Sequence, residues 1–391
     1  MMMSRRASLG LIGTALVLGI GTWFFANGAA PQQNTVKVSD VVDPVYQIQS
    51  ENWPQPAPRF YGTAQDWLNT GGKALDLKQL LQSGHVVLID FWEYTCVNCL
   101  RTLPYLKAWN ERYAKDGLVI IGIHTPEFRF AHDRNNVAEA VKRLGITWPV
   151  LIDSNYENWN AYHNNFWPRH YFINMHGYIV ADHAGEGGYE ESEAIIQQLL
   201  HQLHPNLKLP PLLKPLRPED APGARCYPMT PELYAGERGL LEGALGNIPN
   251  WAPGRLHHLP APTGALEDGV ITPVGVWITE PESLRHGRAT NNFEDSILLR
   301  YHAITANAVI KPENSVPFRV YVFQDGKPVS PSDKGADIHY DETGKSYILV
   351  DQPRMYQLIH NRMFGSHTLT LTSNSPDFAL YSFTFTSCTE G

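Results

Sequence analysis

Two cysteines, Cys96 and Cys99, stand close together in the stretch His85–Pro104, HVVLIDFWEYTCVNCLRTLP. Ahead of them lies the apolar run His85 to Phe91, with the length and composition of a buried strand, and behind them a segment that reads as a helix. A Cys-x-x-Cys at the seam of strand and helix is a redox signature, because two thiols on a first helical turn can close a small disulfide loop. Cys96 stands where free backbone N–H groups and the helix dipole stabilise a thiolate. It reads as the nucleophile and Cys99 as the resolving thiol. Half of a structural zinc site would want two more Cys or His nearby, and no second Cys-x-x-Cys exists. Haem attachment would want His after the second cysteine, where Leu100 stands.

The elements that must hold this pair follow from hydrophobic period. Ala74–Gln82 reads as a short helix, and Leu118–Ile123 as a second buried strand before a loop, His124–Asp133. The helix after the motif carries Leu103, Leu106, Trp109 and Tyr113 at helical spacing, with Pro104 inside it as a kink. Asn135–Gly145 is an amphipathic helix closed by its glycine, and Trp148–Ile152 a further strand. A helical turn near Trp159–Tyr162 precedes Phe166-Trp167-Pro168, and His170–Ile173 and Tyr178–Asp182 flank the turn Asn174–Gly177 as a hairpin. Glu190–His204 is a closing helix.

With these elements in place, IDFWEYTCVNC resembles the strand–motif–helix core of the thioredoxin superfamily. The longer string through RTLPYLKAWNERY and GLVIIGIHTPEF to GEGGYEE resembles the TlpA-like thioredoxin domain of DipZ-type proteins, over Phe60 to His204. The resemblance implies several roles. Asp90 lies where thioredoxin has a buried aspartate; burial should raise its pKa and let it take the Cys99 proton as a mixed disulfide resolves. Pro168 lies where thioredoxin folds put a cis-proline facing the disulfide, leaving the Trp167 backbone free to pair with a substrate chain. Trp92, Tyr94 and Trp167 would then form an aromatic, substrate-binding rim. Many TlpA-like domains carry a glutamate where Thr102 stands, so the proton acceptor here is moved or water-mediated. Glu93 reads as a solvated turn residue. The string Gly185-Glu186-Gly187-Gly188-Tyr189 lacks the Lys-Ser/Thr ending of a phosphate loop and reads as a turn near the active face.

Composition bounds the whole. A chain of 391 residues holds more than one domain, and 43% hydrophobic with 18% charged residues and a net charge of −8 describe a packed globular protein that does not bind nucleic acid. Arg5 and Arg6 precede the uncharged, glycine-bearing run Leu9 to Phe25, so residues 1–30 read as an export signal, cleaved or retained as a membrane anchor. The bulk of the chain is then exported, periplasmic or otherwise extracytoplasmic, where disulfides persist. Residues 31–59 form a polar linker, 60–204 the thioredoxin-like α/β domain, and 205–222, with six prolines, a stiff linker. In 223–391, short β-rich runs at Val270–Ile278, Ile297–His302, Phe318–Phe323, Tyr347–Val350, His367–Thr372 and Phe378–Phe385 predict an antiparallel all-β sandwich. The family resemblance makes it jelly-roll-like. Pairing within the Cys-x-x-Cys leaves Cys226 and Cys388 as one structural disulfide bracketing the sandwich. The sixteen histidines are scattered and read mostly as surface residues.

The function expected is an exported, membrane-tethered thiol–disulfide oxidoreductase acting on protein disulfides and dithiols, with no organic cofactor and no metal. The resemblance implies disulfide reduction or cytochrome c maturation. DipZ-type proteins carry a multi-helix electron-transfer domain that these residues do not, so a reductase needs a separate membrane partner as electron donor. Three other classes stay open: a peroxiredoxin-like peroxidase, which the paired cysteines disfavour; a dithiol oxidase, since Val97-Asn98 carries no charge to set the redox poise; and a glycan- or protein-binding module built on the sandwich.

Overall fold

The computed structural model describes residues 54–246, 248–314 and 316–389. The expected signal or anchor (1–30) and nearly all of the linker 31–59 lie outside them. Among the described residues, no helix is long and apolar enough to cross a membrane.

The Cys96–Cys99 segment hangs from the middle of a sheet. Strand β1 is Gln55–Pro56, β2 Trp67–Leu68, β3 Val86–Trp92, β4 Leu118–His124, β5 Val150–Ile152, β6 Arg169–Ile173 and β7 Tyr178–Ala184. Their order is β1-β7-β6-β3-β4-β5-β2, with β3 parallel to β4 and antiparallel to β6. Every residue of β3 is buried, the reason it reads as an unbroken apolar run. Its alternate side chains serve two cores. Val86, Leu88 and Trp92 meet helices α2 (Val97–Tyr113), α3 (Arg134–Arg143) and α5 (Tyr189–Leu203). Val87, Ile89 and Phe91 face α1 (Leu77–Gln82) and α4 (Glu157–Ala161). Each such aliphatic side chain contributes roughly 1.5–3 kcal/mol by leaving water. Gly122 in β4 is required by close approach: a Cβ there would lie 3.0 Å from the Trp92 indole nitrogen and 3.2 Å from that of Trp148.

Two boundaries move. The end of the expected linker 31–59 joins the sheet, since Gln55 and Pro56 pair with Ile179 and Tyr178. The proline-rich segment 205–222 is no free spacer but a strap along α2 and α5. Gln197 donates to the Pro210 carbonyl at 2.8 Å, the Leu213 N–H donates to buried Glu193 at 2.7 Å, and the Leu216 N–H to the Tyr105 hydroxyl at 2.9 Å. Tyr105 in turn donates to Asp220 at 2.8 Å. Proline stiffness and these side-chain anchors act together, because a stiff chain loses little entropy on docking.

The C-terminal region is mainly antiparallel β: an eleven-stranded sheet, a separate two-stranded pair of Arg225–Cys226 with Cys388–Thr389, and one short helix, Glu237–Leu241. Its spine is two long strands, Ser296–Pro312 and Arg354–Thr372, paired along most of their lengths. A register shift between Ala303 and Thr305 bends the first, so its two halves also pair with different neighbours, Thr272–Val274 and Phe378–Thr386. Cys388 pairs directly opposite Cys226 and is disulfide-bonded to it across a sequence separation of 162. Replacing both with serine is expected to lower stability by up to about 5 kcal/mol on the chain-entropy model. The measurement is a urea unfolding midpoint; an unchanged midpoint would show that the bridge adds nothing.

Candidate active site at the head of α2

Cys96 is the N-cap of α2: its sulfur accepts the N–H of Cys99 at 3.3 Å. Both thiols are free, Cys96 half-buried and Cys99 buried. Burial pushes the Cys96 thiol up, and the Glu127 and Glu93 carboxylates push the same way; the thiol and N–H of Cys99 pull it back. Cys99 is pushed much further, by burial first, then by its hydrogen bond and charge coupling to Cys96, and by the Asp90 carboxylate, with the Glu93 N–H offsetting part. Cys96 is therefore the more acidic and more accessible of the two, although helix capping does not outweigh its burial.

The turn between β3 and α2 corrects the expectation for Glu93. It is 0% exposed, and its carboxylate accepts the N–H groups of Thr95 at 2.6 Å and Cys96 at 3.1 Å, together with the Thr95 hydroxyl. Its other oxygen lies 3.7 Å from Nε2 of His124, which is equally buried. A solvated turn residue would leave those N–H groups to water; here the buried carboxylate takes them. The expected aromatic rim is corrected too. Trp92 and Tyr94 are buried, Trp92 edge-on to His124 and Tyr94 stacked on it at 5.4 Å between ring centroids. They form the floor of the motif and cannot meet a substrate. Histidines 124 and 170 likewise lie inside the domain rather than on its surface.

Trp167 and Pro168 are joined by a cis peptide bond ahead of β6. The Trp167 indole donates to the Thr125 carbonyl at 3.1 Å and packs on Trp159, while neighbouring Phe166 stands 50% exposed. Phe166 is the accessible aromatic that period and motif did not single out.

Asp90 is 1% exposed, with an oxygen 3.4 Å from Nε2 of buried His170. The two are cross-strand partners on β3 and β6.

The loop after β4 brings in a second domain. Phe128 and Phe130 pack on Tyr381 at 5.3 and 4.9 Å, and Tyr234 donates to Glu127 at 2.6 Å. Residues from the C-terminal region thus sit against the loop that carries a carboxylate acting on Cys96. Burial pushes the Glu127 carboxyl up to about 8; Glu232 and Glu93 add to this, and the Tyr234 hydrogen bond and Arg238 oppose it. Protonation is thereby favoured in the folded state, so this contribution to stability is fully present below the unfolded carboxyl value of 4.5 and is lost as pH rises through 8. Glu127→Gln is expected to remove that slope from a pH series of unfolding midpoints. It should also leave alkylation of Cys96 unchanged near pH 6 and speed it about threefold above pH 8, where the native carboxylate is charged. An unchanged rate at high pH would remove Glu127 from the electrostatics of the thiol.

Residues 55–200 match the Redoxin family and residues 230–386 the Thioredoxin like C-terminal domain family. Protein DipZ of Mycobacterium tuberculosis is 32% identical over 337 residues, covering 83% of this chain and 43% of DipZ, so the chain spans less than half of that relative's length. The thiol-disulfide oxidoreductase YkuV of Bacillus subtilis is 26% identical, over 37% of this chain and 95% of YkuV. Among solved structures, a thiol:disulfide interchange protein of the thioredoxin family from Chlorobium tepidum is 22% identical with a TM-score of 0.32, over 39% of this chain and 99% of that one. Residues 55–200 thus match a Redoxin domain and residues 230–386 a Thioredoxin like C-terminal domain, and the chain is similar to DipZ and to thioredoxin-family thiol-disulfide oxidoreductases.

Proposed function

We propose that this protein is an extracytoplasmic enzyme that exchanges disulfides with protein substrates through Cys96-Val97-Asn98-Cys99. The observation that carries the proposal is the dithiol itself: an accessible Cys96 capping α2, backed by a buried Cys99 whose N–H meets its sulfur at 3.3 Å. Cys96 attacks a substrate disulfide, forming a mixed disulfide and releasing one substrate thiolate. Cys99, losing its proton to Asp90, then attacks Cys96, so that the second substrate thiolate leaves and two electrons have passed to the substrate. The Trp167 backbone beside cis-Pro168, with Phe166 at its edge, offers an extended substrate segment its pairing edge. The Cys226–Cys388 bridge supports an oxidising compartment, as does the Arg-flanked apolar run near the N terminus. Disulfide reduction or cytochrome c maturation, with a membrane partner supplying electrons, is the role this reading favours.

The test is the equilibrium reduction potential of the Cys96/Cys99 pair against glutathione. A value near thioredoxin's, roughly −270 mV, marks a reductase, and one near roughly −120 mV an oxidase. A pair that neither forms a disulfide nor reduces insulin overturns the proposal.

A further inference from the structure

The proton taken from Cys99 has to leave the domain interior, and Asp90 sits in the central strand with no exposed face. Across the sheet from it runs a row of titratable side chains. Asp90 on β3 stands directly opposite His170 on β6, and His170 directly opposite His183 on β7. Cross-strand partners point to the same face, so the three line up in the layer beneath α2 and α5. Asp90 and His170 are each 1% exposed, and half-buried His183 ends the row near solvent. The Asp90 oxygen is 3.4 Å from His170 Nε2, and the two imidazole centroids are 6.4 Å apart, a span that one water bridges.

The surroundings argue against a merely structural row. Trp109 and Phe172 flank His170 edge-on, an apolar setting that an apolar side chain would fill at less cost. One Asp90 oxygen, both nitrogens of His170 and Nε2 of His183 are buried without a hydrogen bond to any described protein group. Structural polar groups at such depth are normally paired. Burial and the neighbouring His170 push the His183 pKa down, opposed by a hydrogen bond that the ring donates to the Glu186 backbone carbonyl and by the Asp182 and Glu191 carboxylates. A neutral imidazole is the form that can accept and hand on a proton. The glycine turn completes the route: at Gly188, φ +55°, a Cβ would lie 2.6 Å from His183 Cε1, so only glycine lets the ring reach the turn.

We propose that Asp90, His170 and His183 form a proton relay between the buried Cys99 and solvent at the turn formed by residues 185–188. It rests on the reading above, in which Asp90 takes the Cys99 proton. As the Cys99–Cys96 bond forms and the Cys96–substrate bond breaks, Asp90 holds the proton. It passes to His170 Nε2 while the opposite ring nitrogen releases one toward His183, and His183 delivers it to solvent. The leaving substrate thiolate collects a proton from solvent, so the step is balanced. In the reverse reaction the row delivers a proton to Cys99.

The test is stopped-flow reaction of the full-length reduced protein with the aromatic disulfide DTNB, whose first thiolate release reports attack by Cys96 and whose second reports resolution by Cys99. His170→Phe should slow the second phase about tenfold and leave the first within about twofold. His183→Ala, near the surface, should slow the second phase by a similar factor in dilute buffer, and added imidazole should restore it, since the lost ring opens a space beside Gly188. Imidazole should restore neither His170→Phe nor Asp90→Asn. If Asp90→Asn slows resolution but His183→Ala does not, the relay is wrong while the role of Asp90 stands. If His183→Ala slows both phases equally and imidazole changes neither, the histidine is structural and the relay is overturned. If Asp90→Asn itself leaves resolution unslowed, the underlying reading of Asp90 fails, and the relay with it.

Discussion

Cys99→Ser is expected to turn this protein into a trap for its own substrates. The half-buried Cys96 keeps its place at the head of α2 and still attacks, but the thiol that would release the mixed disulfide is gone. Release then falls to external thiols. Well-oriented intramolecular groups reach effective molarities on the order of 10⁵ M, so turnover with millimolar thiol should drop by roughly a thousandfold or more. Covalent complexes should accumulate on non-reducing gels and dissolve on reduction. Cys96→Ser should show far fewer, because Cys99 is buried and its thiol is held well above the ordinary range. The same complexes, analysed by mass, identify the substrates. Trapping by Cys96→Ser but not by Cys99→Ser would reverse the assigned roles.

The second large effect is at Asp90, where two physical effects pull in opposite directions. As a charge, the Asp90 carboxylate holds the Cys99 thiol up, so Asp90→Asn should make that thiol more acidic and, on electrostatics alone, speed resolution. As a proton acceptor, Asp90 lowers the barrier to forming the Cys99 thiolate, and its loss should slow the same step about a hundredfold, the low end for general base catalysis. We expect slowing, with the first attack by Cys96 unchanged, because Asp90 is the carboxylate whose charge acts on the buried Cys99 thiol. Faster resolution would leave Asp90 as a charge and no more. Equal slowing of both phases would mark damage to packing.

Much of this was legible in local pattern. The run Val86–Trp92 is apolar throughout because β3 is covered on both faces, and a strand of that kind needs no partner to announce itself. The Cys-x-x-Cys at its end, the helix after it and the hairpin near Asn174 are likewise short-range matters of period and turn chemistry. Other features were out of reach. Residues of Ser296–Pro312 beyond His302 are rich in Ala, Thr and Asn, so composition stopped the strand where packing continues it. Segment 205–222 looks like a spacer by composition, and only the side chains of α2 and α5 make it a strap.

The site divides the same way. Sequence by itself determined the dithiol, its position at a helix head, and a proline ahead of β6. Tertiary structure alone decided that Glu93 is buried and holds the motif's N–H groups, that Trp92 and Tyr94 lie beneath it, and that Tyr234 reaches Glu127 across a sequence separation of 107. It alone placed Asp90, His170 and His183 in one row. The reason is that spacing along a chain fixes which side chains share a helix turn or a strand face. Burial, and with it proton affinity, depends on which distant segments close over that face, and strand register, set by the whole core, decides which distant residues meet.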